Sequence, residues 1–373
     1  MRRLFTILIW ICISWSAASS QISYLERPDL LEKVEICLQH TYGFSFTEAR
    51  AIQSELALST PGHPAPVFLD ALIVYWENFP LIPSKEASQR FINLMNKTIE
   101  LAKQYAKYDE TYIESIFFDL FGRAFKAMYW ADNGKSGKVI PQMGPMYRNT
   151  KKSFVLQEKF AEFYFSTGLY NYYIEAYPTA HPAYKPLVSF MHKGDQELGL
   201  KQLNRAINQT VFLKVEAILF MSLIQLNYEE DLNSAAMYAG RLVREYPDNI
   251  YYQGHLINIL LHQHRFVQVK ELLASMEQQS DSYTKMIRTL ASGFMNEKVP
   301  GEESLSGTAY LETIELAEKF GPYADIYKAM AYMGLSRLLR TSGQESQANS
   351  YARKASHLTT YTFILEEKAS GSR

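Results

Sequence analysis

Residues 219–273 read LFMSLIQLNYEEDLNSAAMYAGRLVREYPDNIYYQGHLINILLHQHRFVQVKELL. Leu219, Ser222, Leu223 and Leu226 stand at successive spacings of three, one and three. Gln253, Leu256, Ile257 and Leu260 repeat those spacings 34 residues later. Ala235 and Ala239 are answered by Val269 and Leu273 at the same offset. Spacings of three and four put side chains on one face of a helix. Between the two sets lies Tyr246-Pro247-Asp248-Asn249. Proline has no N–H and restricts the residue before it, so the upstream helix stops there. The unit is a helix, a tight turn and a second helix, and self-similarity at such a period marks a repeat architecture.

The same phase extends in both directions. Toward the C-terminus, Tyr332, Leu335, Ser336 and Leu339 precede Gly343, then Ala348, Ala352 and Ala355. Ala235 stands twelve residues before Pro247, and Ala49 stands twelve before Pro61, with Phe46 ahead of it. This spacing resembles the tetratricopeptide repeat (TPR): aromatic-x2-Leu-small-x2-aromatic, then Ala-x3-aromatic, then Pro. Thr360 stands where the pattern has proline, and Ala352 where it has an aromatic. The resemblance implies antiparallel helix pairs, each leaning on the next to complete its core, with the first helix of every pair lining a concave surface. It also implies which residues face that groove: Tyr251, Asn258 and His262 in one unit, and Arg337 and Arg340 in the last. Such a groove accepts an extended peptide or a helix from a protein partner. The chain is similar to TPR-like proteins of bacterial envelopes. A more distant likeness, over about 80 residues, is to eukaryotic TPR proteins linked to clearance of inclusion bodies; no function is carried over from it.

The remaining periodicity predicts helices over 27–40, 47–58, 66–79, 84–107, 110–132, 151–177, 184–192, 195–207 and 211–227. A further pair over 281–320 is interrupted at Val299-Pro300-Gly301. Residues 132–138 read as a polar turn punctuated by Gly134 and Gly137. The stretch from Gly168 to Gly199 breaks the rhythm, as a modified repeat with an inserted turn between Pro178 and Pro186. The expected fold is an all-α superhelix, a TPR-like solenoid of about sixteen helices over residues 21–367. No interdomain linker divides it, and a small polar tail, 368–373, is expected to be disordered.

The first twenty residues read as an address. Arg2 and Arg3 precede twelve apolar residues, 4–15, and Ser16-Ala17-Ala18-Ser19-Ser20 supplies small residues for cleavage after Ala18 or Ser20. The chain is therefore expected to be secreted or periplasmic in a bacterial envelope. An uncleaved anchor is the rival, but the run is shorter than the ~20 residues that span a bilayer. Cys12 follows Ile11 inside the apolar run, so it is not a lipid-attachment cysteine. No later stretch reaches 18 apolar residues, so no membrane span is expected after the leader leaves. Removing the leader shifts the formal charge from −1 to −3 and leaves Cys37 alone, which excludes an intramolecular disulfide.

Little in the chain points to chemistry. Lys plus Arg is 38 against 39 for Asp plus Glu, without the basic excess of a nucleic-acid binder. Gly134-Lys135-Ser136 lacks the upstream glycine and strand of a phosphate loop, since position 129 is Tyr. His255, His262 and His264 read as ordinary surface histidines. No HExxH, CxxC or GxSxG occurs, so neither metal, cofactor nor catalysis is expected. Glu229-Glu230-Asp231 is read as a solvated run favouring the start of the next helix. Tyrosine is abundant, with 26 residues beside 21 Phe and 4 Trp; most of these rings are expected to fill the core, and some to line the groove. The function expected is a non-catalytic scaffold for protein–protein interaction. Two alternatives remain. An outer-membrane glycan-capture protein would usually carry a lipidated cysteine after its signal, and a hydrolase hidden in a helical fold would need a convergent polar pocket.

Overall fold

A computed structural model of the chain describes residues 23–25, 27–107, 112–189 and 191–366. The expected leader and polar tail lie outside the described residues. The helices are α1 (Pro28–Tyr42), α2 (Phe46–Ser59), α3 (Pro64–Glu77), α4 (Lys85–Tyr105), α5 (Tyr112–Asp132), α6 (Ser136–Leu156), α7 (Phe163–Ala180), α8 (Lys185–Val188), α9 (Gln196–Gln209), α10 (Lys214–Asn227), α11 (Leu232–Glu245), α12 (Ile250–His262), α13 (Phe266–Ser275), α14 (Ser282–Asn296), α15 (Glu303–Ala317), α16 (Asp325–Thr341), α17 (Glu345–Leu358) and α18 (Thr362–Leu365). Sixteen of these have ten residues or more, and two 3₁₀ turns, Pro182–Tyr184 and Glu318–Ala324, complete the path. Among the described residues there is no strand. Consecutive helices pack on one another in chain order, which makes an all-α superhelix of helix pairs.

Local chemistry sets where helices begin. Asp231 accepts from the backbone N–H of Asn233 and Ser234, Asn249 from Tyr251 and Tyr252, and Asp281 from Thr284. Each satisfies donors that the first helical turn leaves orphaned. Inner and outer helices differ in how much they bury. α12 buries residues on nearly every side, from Ile250 to His262, whereas α11 buries only Ala235, Ala236, Ala239 and Leu242. A helix apolar all round must be covered on both flanks, and a one-sided helix faces solvent.

The repeat phase has a physical signature. Within three hairpins, a small polar side chain on the first helix donates to a carbonyl on the second: Cys37 Sγ to Ala49 (3.4 Å), Ser222 Oγ to Ala235 (2.9 Å) and Ser336 Oγ to Ala348 (2.8 Å). All three alanines are fully buried. Absence of a larger side chain lets the helix backbones approach, and the thiol or hydroxyl satisfies a carbonyl at the contact.

Three expectations need correction. The turn predicted over 132–138 is shorter, with Gly134 at φ +66°, and α6 begins already at Ser136. Pro141 and Pro145 are both accommodated inside α6. Arg123 Nη1 to Gln142 Oε1 (2.9 Å) and Asn149 Nδ2 to Asp119 Oδ2 (2.6 Å) tie α6 to α5. The single helix predicted over 151–177 is split between Leu156 and Phe163. The break positions Glu162, whose carboxylate accepts the backbone N–H of Val211, Phe212 and Leu213 at 2.6, 2.8 and 3.1 Å. One side chain thus caps the approach to a helix some fifty residues away. In the inserted region, helix is confined to α8 after a 3₁₀ turn, where 184–192 was predicted.

The superhelix winds tightly enough to meet itself. Tyr42 at the end of α1 donates to the buried Glu216 carboxylate of α10 and lies 5.7 Å, centroid to centroid, from Tyr246. Phe68 of α3 reaches Phe212 at 6.4 Å. The N-terminal pairs therefore lean on the middle of the array.

Candidate functional site

The inner layer is closed by aromatic rings from distant repeats. Trp76 of α3 lies 5.5 Å from Tyr252 and 5.9 Å from Tyr251 of α12. Phe79, just past α3, is the hub: it touches Tyr251 at 5.3 Å, Tyr283 of α14 at 5.2 Å and Tyr323 at 5.9 Å. Tilted and edge-on pairs of this kind add to the area they bury. Burial raises the Tyr75, Tyr251, Tyr283 and Tyr323 phenols well above their usual value, so all four are neutral hydroxyls. Abundance of tyrosine was the only sign of this seam in the sequence. Trp76 and Phe79 had no motif to announce them, because their partners come from the far side of a full winding.

The five residues expected to face a partner fall into different settings. Tyr251 is half-buried in the seam, its ring parallel to His255 at 6.3 Å. Asn258 is buried, and its Oδ1 has no hydrogen-bond partner among the described residues. His262 is buried between Phe294 (5.6 Å) and Phe363 (4.9 Å), edge-on to both rings. Arg337 is buried and grips Glu297 with two hydrogen bonds, Nε to Oε1 at 2.8 Å and Nη2 to Oε2 at 2.9 Å. Burial works against the Glu297 charge, but the Arg337 guanidinium and the Tyr310 hydroxyl (2.6 Å) outweigh it and hold its carboxyl below the usual range. Arg340 is exposed, bonds Asn349 Oδ1 at 3.1 Å and lines a surface cleft of about 620 Å³ with Met333, Asn349, Arg353, Ser356 and Leu365.

The histidines are not the surface residues expected. His255 and His262 are buried, and only His264 is exposed. Burial pushes His255 down to about 4. It pushes His262 down to about 3, with the Arg337 and His264 charges adding to the effect. Both rings are neutral near pH 7 and serve as polar core: Ser222 Oγ bonds His255 Nε2 at 2.9 Å. Among the described residues, no three His, Cys, Asp or Glu side chains converge as a metal site would need.

What covers His262 is the chain's own end. After α17 the backbone turns at Thr359, and α18 runs back across α16 to the α10–α11 turn. Thr362 Oγ1 donates to Glu230 Oε1 at 2.6 Å, Phe363 caps His262, and Ile364 is buried. Burial raises the Tyr173 and Tyr228 phenols, and the nearby Tyr361 phenol adds to that push. The acidic run at 229–231 therefore does more than solvate a turn. Glu229 accepts from Tyr172, Glu230 holds the C-terminal segment, and Asp231 starts α11.

Among the described residues, no helix is long and apolar enough to cross a membrane. Comparison with protein-family models and with curated proteins returns no match.

Proposed function

We propose that this chain is an exported, TPR-like scaffold that binds a protein or peptide partner on the inner face of its superhelix and catalyses no reaction. The observation that supports this reading is the segment 359–365, a short peptide already seated across α12 and the α10–α11 turn by one hydroxyl, one ring and one aliphatic side chain. A surface that holds one such segment has the chemistry to hold another: aromatic floor, acidic rim and backbone groups at helix ends. Tyr251 and Arg340 offer accessible contacts, His262 becomes one when Phe363 moves, and the buried Asn258 and Arg337 hold the floor.

A photo-crosslinking side chain at Tyr251 tests the reading against one at Met237, which is exposed on the outer helix α11. In the native envelope fraction, position 251 should trap a discrete species that position 237 does not. Identical patterns from both positions would overturn the inner-face assignment. Mass measurement of the exported chain should place its first residue at Ser19 or Gln21; retention of Met1 in an exported chain would overturn the cleaved leader.

A further inference from the structure

We propose that α6 is a peripheral docking face for an anionic phospholipid bilayer, with its cations at the headgroups and Ile140 and Val155 dipping below them. From Asn133 to Gln157 the chain carries five cations, Lys135, Lys138, Arg148, Lys151 and Lys152, and no acid, although its overall formal charge is −1. All five are exposed, and none is ion-paired among the described residues. Three of them lie over rings instead: Lys138 Nζ over Trp130 at 6.0 Å, Lys151 Nζ over Tyr147 at 5.0 Å and Lys152 Nζ over Tyr112 at 5.3 Å. A ring face holds an ammonium in place and leaves its charge uncompensated. Of the 21 residues of α6 only Thr150 and Ser153 are buried, so most of the helix lies on the surface.

The exposed face of α6 is continuous. Ile140, Gly144, Arg148, Lys151 and Val155 follow at spacings of four, four, three and four, and all are exposed. Ile140 is 67% exposed and Val155 79%. They stand at the two ends of a stripe about 22 Å long, with the cations between them. A Cβ added at Gly144 would meet only the Arg148 guanidinium, at 3.8 Å, so no other described residue lies over the middle of the stripe. Beside it, α4, α5 and α6 form a cavity of about 220 Å³, lined by Lys103, Arg123, Arg148 and Lys152 against one acid among the described residues, Asp119. That acid is already engaged, by Arg123 Nε and Nη2 at 3.0 Å and by Asn149 Nδ2 at 2.6 Å. The cavity therefore offers surplus positive charge to a headgroup phosphate, next to the side chains that enter the lipid. An acidic protein would answer the cations alone. Apolar side chains at both ends of a basic helix lying on the surface fit a bilayer, which covers ends and middle at once.

Co-sedimentation of the exported chain with vesicles tests the docking face. Vesicles of phosphatidylglycerol and phosphatidylethanolamine should pellet it, vesicles of phosphatidylcholine should not, and added salt should release it. Arg148→Ser, Lys151→Ser and Lys152→Ser combined should weaken binding about a hundredfold, at roughly fivefold for each charge removed from the surface. Ile140→Ser should weaken it about tenfold, a loss that a purely ionic contact would not show. Lys103→Ser, at the cavity but on α4, should cost roughly fivefold. All the substituted side chains are exposed, so thermal melts of the variants should match the parent's. Failure of the chain to pellet with the anionic vesicles, or undiminished pelleting of the triple variant, would overturn the docking face. Binding to soluble polyglutamate that the triple variant loses, without vesicle binding, would assign the face to an acidic protein instead. Because the vesicles hold no protein, this result stands apart from the crosslinking at Tyr251, whose failure would leave this face untouched.

Discussion

Asn249 Nδ2 donates a 3.0 Å hydrogen bond to the carbonyl oxygen of Tyr42, 207 residues earlier in the chain. The same side chain uses its Oδ1 to cap α12, accepting from Tyr251 and Tyr252. One fully buried amide therefore starts a helix and ties the first helix of the array to its middle. Asn249→Ala removes the cap and leaves a buried carbonyl unpaired, for a cost of about 2–4 kcal/mol. Asn249→Asp keeps a capping oxygen but faces the Tyr42 carbonyl with negative charge. Urea denaturation should rank the parent above both variants. An alanine variant as stable as the parent would mean that the winding does not depend on this tie.

Tyr310 fills a slot made by two glycines. A Cβ at Gly334 of α16 would lie 2.2 Å from Tyr310 Cζ, and one at Gly293 of α14 would lie 2.7 Å from Cε1. In an exposed helix, Gly→Ala gains about 1 kcal/mol. Here Gly334→Ala should instead lose about 1–3 kcal/mol, because the ring cannot move within a filled core. Tyr310→Leu makes room, so the alanine should cost less in that background. A double-mutant cycle on thermal melts reads the coupling; equal costs in both backgrounds would show that Gly334 is not there to admit the ring.

How much of this was readable follows from particular residues. The hairpin contacts at Ala49, Ala235 and Ala348 lie close in sequence, so their phase was visible, and the structure places all three under a donor twelve or thirteen residues away. The helix over 136–150 was not visible, because Pro141 and Pro145 carry no N–H to continue a helix and the α5 contacts that hold it lie outside the segment. The inner face was read as open because periodicity reports which side of a helix turns inward, and nothing about what comes to lie there. Trp76, Phe79 and Phe363 cover that face from distant parts of the chain, and no spacing rule relates them to Tyr251 or His262.

Glu216 makes stability depend on pH. Its carboxylate accepts from Tyr42, its Oε2 has no partner among the described residues, and burial pushes it up to about 7. An acid raised in the folded state keeps its proton where the unfolded chain has lost it. Stability therefore falls as pH rises from 4.5 to about 7, by up to about 3 kcal/mol from this group, and the loss is complete above that window. Glu216→Gln removes the effect while keeping an acceptor for Tyr42. The variant's advantage in melting temperature should grow across that window and level off above it. Asp132 titrates in both proteins and cancels in the difference, whereas Glu162, which the Glu216 charge helps to raise, titrates lower in the variant and adds to its advantage in the same direction. A difference independent of pH would show that Glu216 is ionised throughout in the folded chain.

The C-terminal segment is held as a ligand is held. Its anchors are the Thr362 bond to Glu230, the Phe363 edge on His262 and the buried Ile364. Tethering gives such a segment an effective concentration in the millimolar range, so modest contacts keep it seated. A chain ending at Leu358 should stay folded and bind a labelled peptide of residues 359–366 in trans, while the full chain should bind it far more weakly. Phe363→Ala in the peptide removes the ring that covers His262 and should weaken binding about tenfold. Fluorescence anisotropy measures both affinities, and circular dichroism reports the fold of the shortened chain. Were the shortened chain to unfold, Ile364 would be core and the segment a terminal cap. Were it to fold and ignore the peptide, the surface beneath α18 would have no affinity of its own. Binding by the shortened chain alone would show that a competing segment must displace residues 359–365 before it can reach His262.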